Sequence, residues 1–388
     1  MAPAFVQPAV LGLAGRLGRS ELPAALRLAG RPLPLLGTTR MYVCGITPYD
    51  VTHLGHAATF VWADAAAAVA RLVGATVLTC RNITDVDDVL TRAAADRSRS
   101  YDEFALGQEY LFAQDMAALS VRRPQHEPRA RHHIGDVVQL AAALLAGGAA
   151  YEREGHVYFG GAGVAANSGL DRDTALTRLA EYGDEPDDPL REDPFDVAVW
   201  RPSGPAEPAW PSPWGWGRPG WHAECAAMAH AVLGAGIDIL AGGADLTFPH
   251  HAYQVAMVQA ATGVAPFARA HLQVGLVGVA GQKMAKSTGN LVLTADVLAH
   301  HPASAVRLML LHRRWSQGWD YRPAEVEAAA EVLEGLYRAA GATGEQPAAV
   351  AAVTAALLDD LDVPTAVAVA SAAGGDAARL LLRTLALT

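Results

Sequence analysis

The chain has 388 residues, about half of them apolar, and a formal net charge of −10; this length favours more than one core, and this composition excludes a disordered chain. The acidic balance argues against a broad electrostatic grip on nucleic acid, whose binders present basic surfaces to phosphate. Three widely separated cysteines, Cys44, Cys80 and Cys225, make no disulfide framework and suit a reducing cytoplasm.

Met1 to Gly15 is apolar but lacks a basic start and is interrupted by Pro3, Pro8 and Gly12, so a secretory signal is not expected. No uninterrupted apolar run reaches the roughly 18 residues of a membrane span. Residues 1–38 read as an N-terminal extension carrying a short strand. Met41 to Cys44 is a short apolar run stopped by Gly45 and Pro48, the pattern of a buried parallel strand. An alanine-rich helix over Phe60 to Val73 and a strand over Ala75 to Cys80 complete a βαβ unit, which predicts a parallel sheet with right-handed crossovers. From about 118 to 200 the pattern changes: His132 to Ala146 reads as a helix, Val157 to Phe159 as a strand, and Asp171 to Asp193 as an acidic, irregular segment. Residues 202–220, with six prolines, four glycines and three tryptophans, read as a loop. Ile237 to Leu240 and Leu272 to Val279 are the next strands, and helical spacing of Ala, Leu and Glu from about 323 predicts a terminal helical bundle.

Three constellations carry chemistry. His53 and His56, in Thr-His-Leu-Gly-His, open a helix after a strand and loop, where Gly55 lets phosphate oxygens approach backbone N–H groups and the imidazoles can meet charge on an α-phosphate. Alone, this pattern equally fits a structural pair or a metal site. Lys283 and Lys286 are the only lysines among 30 basic residues, and both lie in Gly-Gln-Lys-Met-Ala-Lys-Ser-Thr-Gly-Asn. In a chain that otherwise uses arginine, this clustering points to a site needing mobile ammonium groups, able to clamp a triphosphate, rather than to a solvated loop. Gly242-Gly243-Ala244-Asp245, after a strand ending at Leu240, can admit a ribose and accept its hydroxyl hydrogens; by itself it is an ordinary turn.

In order and context these motifs resemble the HIGH and KMSKS signatures of class I aminoacyl-tRNA synthetases. Met-Tyr-Val-Cys-Gly-Ile-Thr-Pro-Tyr-Asp (41–50), Asn-Ile-Thr-Asp-Val-Asp-Asp (82–88), Gly-Arg-Pro-Gly-Trp-His-Ala-Glu-Cys (217–225) and Phe-Pro-His-His (248–251) narrow the resemblance to the cysteine-activating branch, over roughly residues 26–320. The resemblance implies an α/β Rossmann nucleotide-binding fold of the class I synthetase type, split over 39–117 and 201–275, with an α+β connective insertion over 118–200. A KMSKS-loop region over 276–322 and a C-terminal helical domain over 323–388 would complete the chain. It further implies ATP with Mg²⁺ as substrate and one zinc ion held by Cys44, Cys225 and His250, whose open position takes the cysteine thiolate and rejects serine. Gln254 stands where the synthetases carry a glutamate near the metal. Without the resemblance, Cys44 and Cys225 would read as buried core thiols. His53, His56, Lys283 and Lys286 become the catalytic set. Gly45, Ile46, Thr47, Gly55, Thr59, Asn82, Ile83, Thr84, Trp221, Gly243, Ala244 and Asp245 would line the adenylate pocket, and Val277 would meet the adenine through its backbone. Cys80 reads as a core residue, and His222, His230 and His251 match no ligand position.

The acceptor of the activated cysteine is either tRNA or the amine of glucosaminyl-inositol. The Gly-Ile-Thr-Pro-Tyr-Asp and His-Leu-Gly-His-Ala-Ala-Thr segments resemble the amino-sugar branch. Glu181-Tyr-Gly-Asp-Glu-Pro resembles that branch's Glu-Arg-Gly-Gly-Asp-Pro, departing from it at Tyr182, Asp184 and Glu185. Residues 321–388 hold four arginines, no lysine and nine acidic residues, unlike an anticodon-binding domain. Pro-Arg-Ala-Arg-His-His-Ile (128–134), in contrast, reads more like the synthetases. The expectation is an ATP-dependent, AMP-forming cysteine ligase, monomeric and without nucleic acid or membrane. A cysteinyl-tRNA synthetase with a shortened C-terminal domain, or a non-catalytic zinc- or nucleotide-binding relic, is the alternative.

Overall fold

A computed structural model describes residues 25–49, 52–86, 88–205, 207–284, 288–344 and 346–388. The extension expected over 1–38 therefore lies outside the described residues up to residue 24. Its remainder forms a hairpin of β1 (Ala25–Leu28) and β2 (Arg31–Pro34).

In chain order come β3 (Thr38–Ile46), α1 (Leu54–Leu72), β4 (Thr76–Ile83), α2 (Asp88–Asp96), α3 (Tyr101–Ala118) and α4 (Ile134–Ala146). The next stretch holds β5 (Ala150–Arg153), β6 (His156–Phe159), α5 (Ala162–Asn167), α6 (Arg172–Glu181), β7 (Val197–Pro202) and β8 (Gly217–Pro219). After it come α7 (Trp221–Leu233), β9 (Ile237–Gly243), α8 (Ala252–Thr262), β10 (Ala268–Val274), β11 (Val277–Val279) and β12 (Gln282–Lys283). The chain ends in α9 (Thr294–His300), α10 (Ala303–Leu311), β13 (Trp319–Asp320), α11 (Pro323–Ala340), α12 (Pro347–Leu358), α13 (Val363–Ala373) and α14 (Gly375–Thr384).

The central sheet is parallel, in the order β10-β9-β3-β4. From β3 the chain moves outward to β4, and from β9 it moves outward the other way to β10. The C-terminal ends of β3 and β9 therefore flank a topological switch point, where open α/β sheets bind ligands. Alternation along β3 decides what reaches each face. Met41 and Val43 enter the core shared with α1, α10 and the C-terminal helices. Tyr42 and Cys44 enter a second core shared with α4, α7 and α8. Cys80 belongs to that same second core and is fully buried.

Several elements differ from their sequence reading. The first helix begins at Leu54, where the histidine motif was expected to open it and six residues before the alanine-rich stretch, and His53 caps it with its own side chain. Asp171 to Asp193 is not irregular throughout: the Asp171 carboxylate accepts from Thr174 N–H and starts α6, an N-cap that charge density hid. β9 runs on through Gly243. The strand read over 272–279 begins at Ala268 and is broken at Gly275, where a Cβ would lie 2.3 Å from the Gln317 carbonyl. Part of the 202–220 loop, Gly217–Pro219, pairs with β7 as an edge of the antiparallel sheet β5-β6-β7-β8. That edge leads directly into α7: Gly220 donates to the Val199 carbonyl at 3.0 Å, and a Cβ there would lie 1.8 Å from the Ala198 oxygen. The close approach sets where α7 starts, and with it Trp221 and Cys225.

Arg307, fully buried in α10, donates to the Leu119 and Leu385 carbonyls and to Asp64 of α1, tying the C-terminal helices to the sheet layer. Among the described residues, no helix is long and apolar enough to cross a membrane.

Candidate active site

β3 delivers Cys44 at its C-terminal end, the second turn of α7 delivers Cys225, and the short helical turn Thr247–His251 after β9 delivers His250. One sulfur or ring-nitrogen atom from each lies within 4.8 Å of the others, and all three residues are buried. Burial, then the neighbouring Cys225 thiol, pushes the Cys44 thiol well up. Burial, then the neighbouring His222 and His251, holds His250 well below the usual imidazole value. A neutral imidazole with two buried sulfurs is a donor set for a soft divalent cation, whose charge keeps such thiols ionised. The group could hold a metal, and three protein donors leave a tetrahedral position for a substrate atom.

Histidines that sequence reading assigned no role surround this triad. His222 Nδ1 lies 2.9 Å from His250 Nδ1, and His222 Nε2 lies 3.1 Å from the Asp184 carboxylate. Such a carboxylate–imidazole chain fixes the tautomer and ring angle of a ligating histidine. The signal in the sequence was weak: His222 stands one helical turn before Cys225. His251 Nε2 is 3.2 Å from Cys44 Sγ, and Gln254 Oε1 is 3.7 Å from it. Trp221 stacks on His250 with ring centroids 4.2 Å apart, forming a wall beside the triad.

At the start of α1, His53 Nδ1 accepts from Gly55 N–H at 3.1 Å, and the His53 and His56 rings stack at 3.9 Å. Gly55 is needed there, because a Cβ would lie 2.8 Å from the His53 ring. Burial, then His53, pushes His56 down to about 3, so it is a neutral donor or acceptor at neutral pH. The helix start is pinned to the segment after the lysine loop: Leu54 N–H donates to Val292 O at 3.0 Å and Thr294 N–H to Thr52 O at 2.9 Å. Thr59, one turn on, donates to the Gly55 carbonyl.

The ends of β3 and β4 are tied together at the rim. Gly45 N–H donates to Asn82 Oδ1 at 2.8 Å, Thr84 N–H to Ile46 O at 2.9 Å, and the Thr47 and Thr84 hydroxyls lie 3.0 Å apart. Ile46 pairs with Ile83 after a register irregularity. Across the switch point, Gly243 closes β9 and the turn Ala244–Leu246 presents Asp245. The Asp245 carboxylate is engaged by Lys283 Nζ at 2.6 Å. Burial raises its pKa, but the ammonium outweighs this and holds the carboxyl below its usual range. Lys283 sits on β12, opposite Gly278 of β11, next to Val277. Lys286 lies outside the described residues.

The catalytic-domain model described as tRNA synthetases class I (C) matches residues 36–331. The chain is 44% identical over 339 residues to a protein of Kribbella flavida named L-cysteine:1D-myo-inositol 2-amino-2-deoxy-alpha-D-glucopyranoside ligase, with 86% of this chain and 83% of that one aligned. Proteins of the same name from Mycolicibacterium smegmatis and Thermobifida fusca are 44% and 40% identical, covering 87% and 93% of this chain and 84% and 89% of theirs. Among solved structures, methionyl-tRNA synthetase of Mycobacterium tuberculosis with methionyl-adenylate superposes with a TM-score of 0.60 at 17% identity, over 91% of this chain and 82% of that one. That likeness bears on the fold alone, and it is the class I synthetase fold.

Proposed function

The chain belongs to the class I cysteinyl-tRNA synthetase family, and on that premise we propose that it joins L-cysteine to the amine of glucosaminyl-inositol, the ligation that serves mycothiol biosynthesis. It is an ATP-dependent, AMP-forming ligase by relationship to the proteins so named. The observation that carries the reading is a buried Cys44–Cys225–His250 group at the same strand ends as the His53/His56 helix start and the Lys283–Asp245 pair.

In the first half-reaction, a cysteine carboxylate oxygen attacks the α-phosphorus of Mg²⁺-ATP, a new P–O bond forms, and pyrophosphate leaves with the electrons of the broken bond. His53, His56 and the N-terminus of α1 meet the charge that builds on the α-phosphate. Lys283 exchanges Asp245 for the departing phosphates, Lys286 is assigned to the same phosphates, and the freed carboxylate takes up the ribose hydroxyls. Gly45, Asn82 and Thr84 hold the strand ends that carry the aminoacyl group, Ile46, Thr47 and Ile83 shape the floor, Thr59, Gly243 and Ala244 border the nucleotide, and the Val277 backbone faces the adenine. Cys44, Cys225 and His250 would hold a zinc ion, which when bound supplies a vacant position for a thiolate that serine cannot fill as well. In the second half-reaction the amine nitrogen attacks the carbonyl carbon. The C–N bond forms, the C–O bond to AMP breaks, and one proton leaves the nitrogen. Positioning suffices, since an unprotonated amine attacks an acyl-adenylate readily.

We read the molecule as a cytoplasmic monomer, with a nucleotide domain (39–117 and 201–275), the insertion (118–200), a lysine-loop region (276–322) and a helical C-terminal domain (323–388). The test is direct. The protein is incubated with ATP and cysteine, and with either glucosaminyl-inositol or tRNA as acceptor. Cysteinyl-glucosaminyl-inositol with AMP is expected; cysteinylated tRNA instead would make it a synthetase, and the absence of cysteine-dependent ATP–pyrophosphate exchange would make it a binding relic.

A further inference from the structure

Beside the metal-binding group lies a cavity of about 300 Å³ between the insertion sheet and the start of α7, at the lower end of the range of ligand pockets. Trp221 and His222 line it and also touch His250: the Trp221 ring stacks on that imidazole, and His222 Nδ1 lies 2.9 Å from its Nδ1. One layer of side chains therefore separates the cavity from the atoms that would grip the cysteine. We propose that this cavity is the acceptor subsite, with the amine of the amino sugar beside Trp221 and Asp184 and the polyol ring toward His156 and Arg218. The proposal rests on the ligase reading above.

The walls have the chemistry of a polyol site. Two flat aromatic surfaces face the space, one from Tyr182 stacked on Trp221 with planes 11° apart, the other from His156 stacked on Tyr158 with planes 7° apart. Faces of this kind pack against the C–H faces of a saturated ring, while planar carboxylates and guanidinium groups bind vicinal hydroxyls in pairs. Asp184, Glu185 and Asp188 supply the first kind of group, and Arg92, Arg201 and Arg218 the second. His156 lines this wall with its ring, while its Nδ1 is sealed off and has no hydrogen-bond partner among the described residues.

Much of the wall is already held in place. Tyr158 donates to Asp188 at 2.5 Å, Arg191 to the Asp196 carbonyl at 2.6 Å, and Arg218 to Glu207 at 2.6 Å. Asp184 is fixed between Arg191 and His222. Tyr182 donates its hydroxyl to the Asp245 carbonyl at 3.0 Å, so it stands at the border between the cavity and the nucleotide site. Tyr182, Asp184 and Glu185 are also the positions at which this segment departs from the pattern of the amino-sugar branch. Three carboxylates and four guanidinium groups line the space, a mixture of acceptors and donors that suits a ring bearing many hydroxyls.

Two variants test the assignment, each read by two assays. Glu185→Gln removes a charge from an exposed rim residue, and Ala198→Leu places three more carbons into the cavity. Each is assayed for cysteine-dependent ATP–pyrophosphate exchange without acceptor, and for ligation over a glucosaminyl-inositol titration. The expected result is a KM for glucosaminyl-inositol raised roughly tenfold, the equivalent of one lost charged contact, with exchange kept within about twofold. An unchanged KM in Glu185→Gln, with Ala198→Leu also ligating normally, overturns the subsite. Should Ala198→Leu lose exchange through misfolding, Glu185→Gln alone decides. A wild-type protein that charges tRNA and ignores glucosaminyl-inositol sinks the ligase reading itself, a result distinct from a variant without effect.

Discussion

Gly45 offers a sharp test of how the rim of the sheet holds the reacting groups. Its N–H donates to Asn82 Oδ1 at 2.8 Å, and a Cβ built on it would lie 1.7 Å from the Asn82 carbonyl oxygen and 2.8 Å from the carbonyl carbon. Real Cβ contacts do not fall below about 3.0 Å, so in Gly45→Ala the ends of β3 and β4 must part by more than 1 Å. The neighbours on either side are functional: Cys44 precedes it, and the Ile46–Thr84 and Thr47–Thr84 bonds come after it. Overpacking of this kind costs about 1–3 kcal/mol of stability, and a displacement of about 1 Å at a reacting centre costs on the order of 10²-fold in rate. Cysteine-dependent ATP–pyrophosphate exchange should therefore drop by about two orders of magnitude, with a lowered Tm. The matched control is Gly107→Ala, inside α3, where a Cβ meets nothing within 4 Å; there the same change should stabilise by about 0.5–1 kcal/mol. Equal exchange and equal melting in Gly45→Ala and the wild type would refute the reasoning.

Three further outcomes are expected. Arg307→Met takes away the guanidinium 2.5 Å from the buried Asp64 carboxylate and leaves it only the Arg122 N–H as a donor among the described residues; this should cost about 3–5 kcal/mol in urea unfolding, part of it recovered by adding Asp64→Leu, and a loss below about 1 kcal/mol would show the pair to be dispensable. Cys44→Ser should abolish bound zinc, measured by elemental analysis, and a strong chelator should stop exchange in the wild type until zinc is restored; metal-free protein at full activity contradicts this. His56→Asn should lower exchange by about 10²–10³-fold. Its pH signature is separate: burial, then His53, puts the folded His56 at about 3, below the roughly 6.5 of an unfolded imidazole. The unfolded chain thus binds the extra proton between those values, and the stability from keeping His56 neutral is complete above pH ~6.5 and is lost as pH falls toward 3. The wild type's unfolding free energy should accordingly decline relative to His56→Asn between pH 7 and 5; a constant difference would count against it.

The reach of the sequence varied with the range of the interaction. A βαβ unit was legible because Met41 to Cys44 and the alanine run after it carry local periodicity. The start of α1 was legible from the histidine motif and not from the alanine run at Phe60, because its cap is a histidine, whose ring accepts the Gly55 N–H. The acidic segment after Asp171 hid a helix for a similar reason: its capping carboxylate looked like one more charge. Cys44, Cys225 and His250 lie on three elements, and no spacing relates them; family likeness alone singled them out. The bracing of His250 by His222 and Asp184 left only a weak trace, the place of His222 one helical turn before Cys225.

By itself, the sequence determined the class of chemistry. Two lysines in a chain of arginines, a histidine pair opening a helix and an alternating strand are local facts, set by side-chain chemistry and backbone period. The tertiary structure alone decided which groups meet. Alternation on β3 turns Cys44 toward α7 and α8, the approach of Gly220 to Ala198 sets where α7 begins, and the reversal of strand order between β3 and β9 opens the cleft in which Lys283 reaches Asp245. Contacts between residues 37 to 210 positions apart depend on the packing of whole layers, and packing has no local signature for a sequence to display.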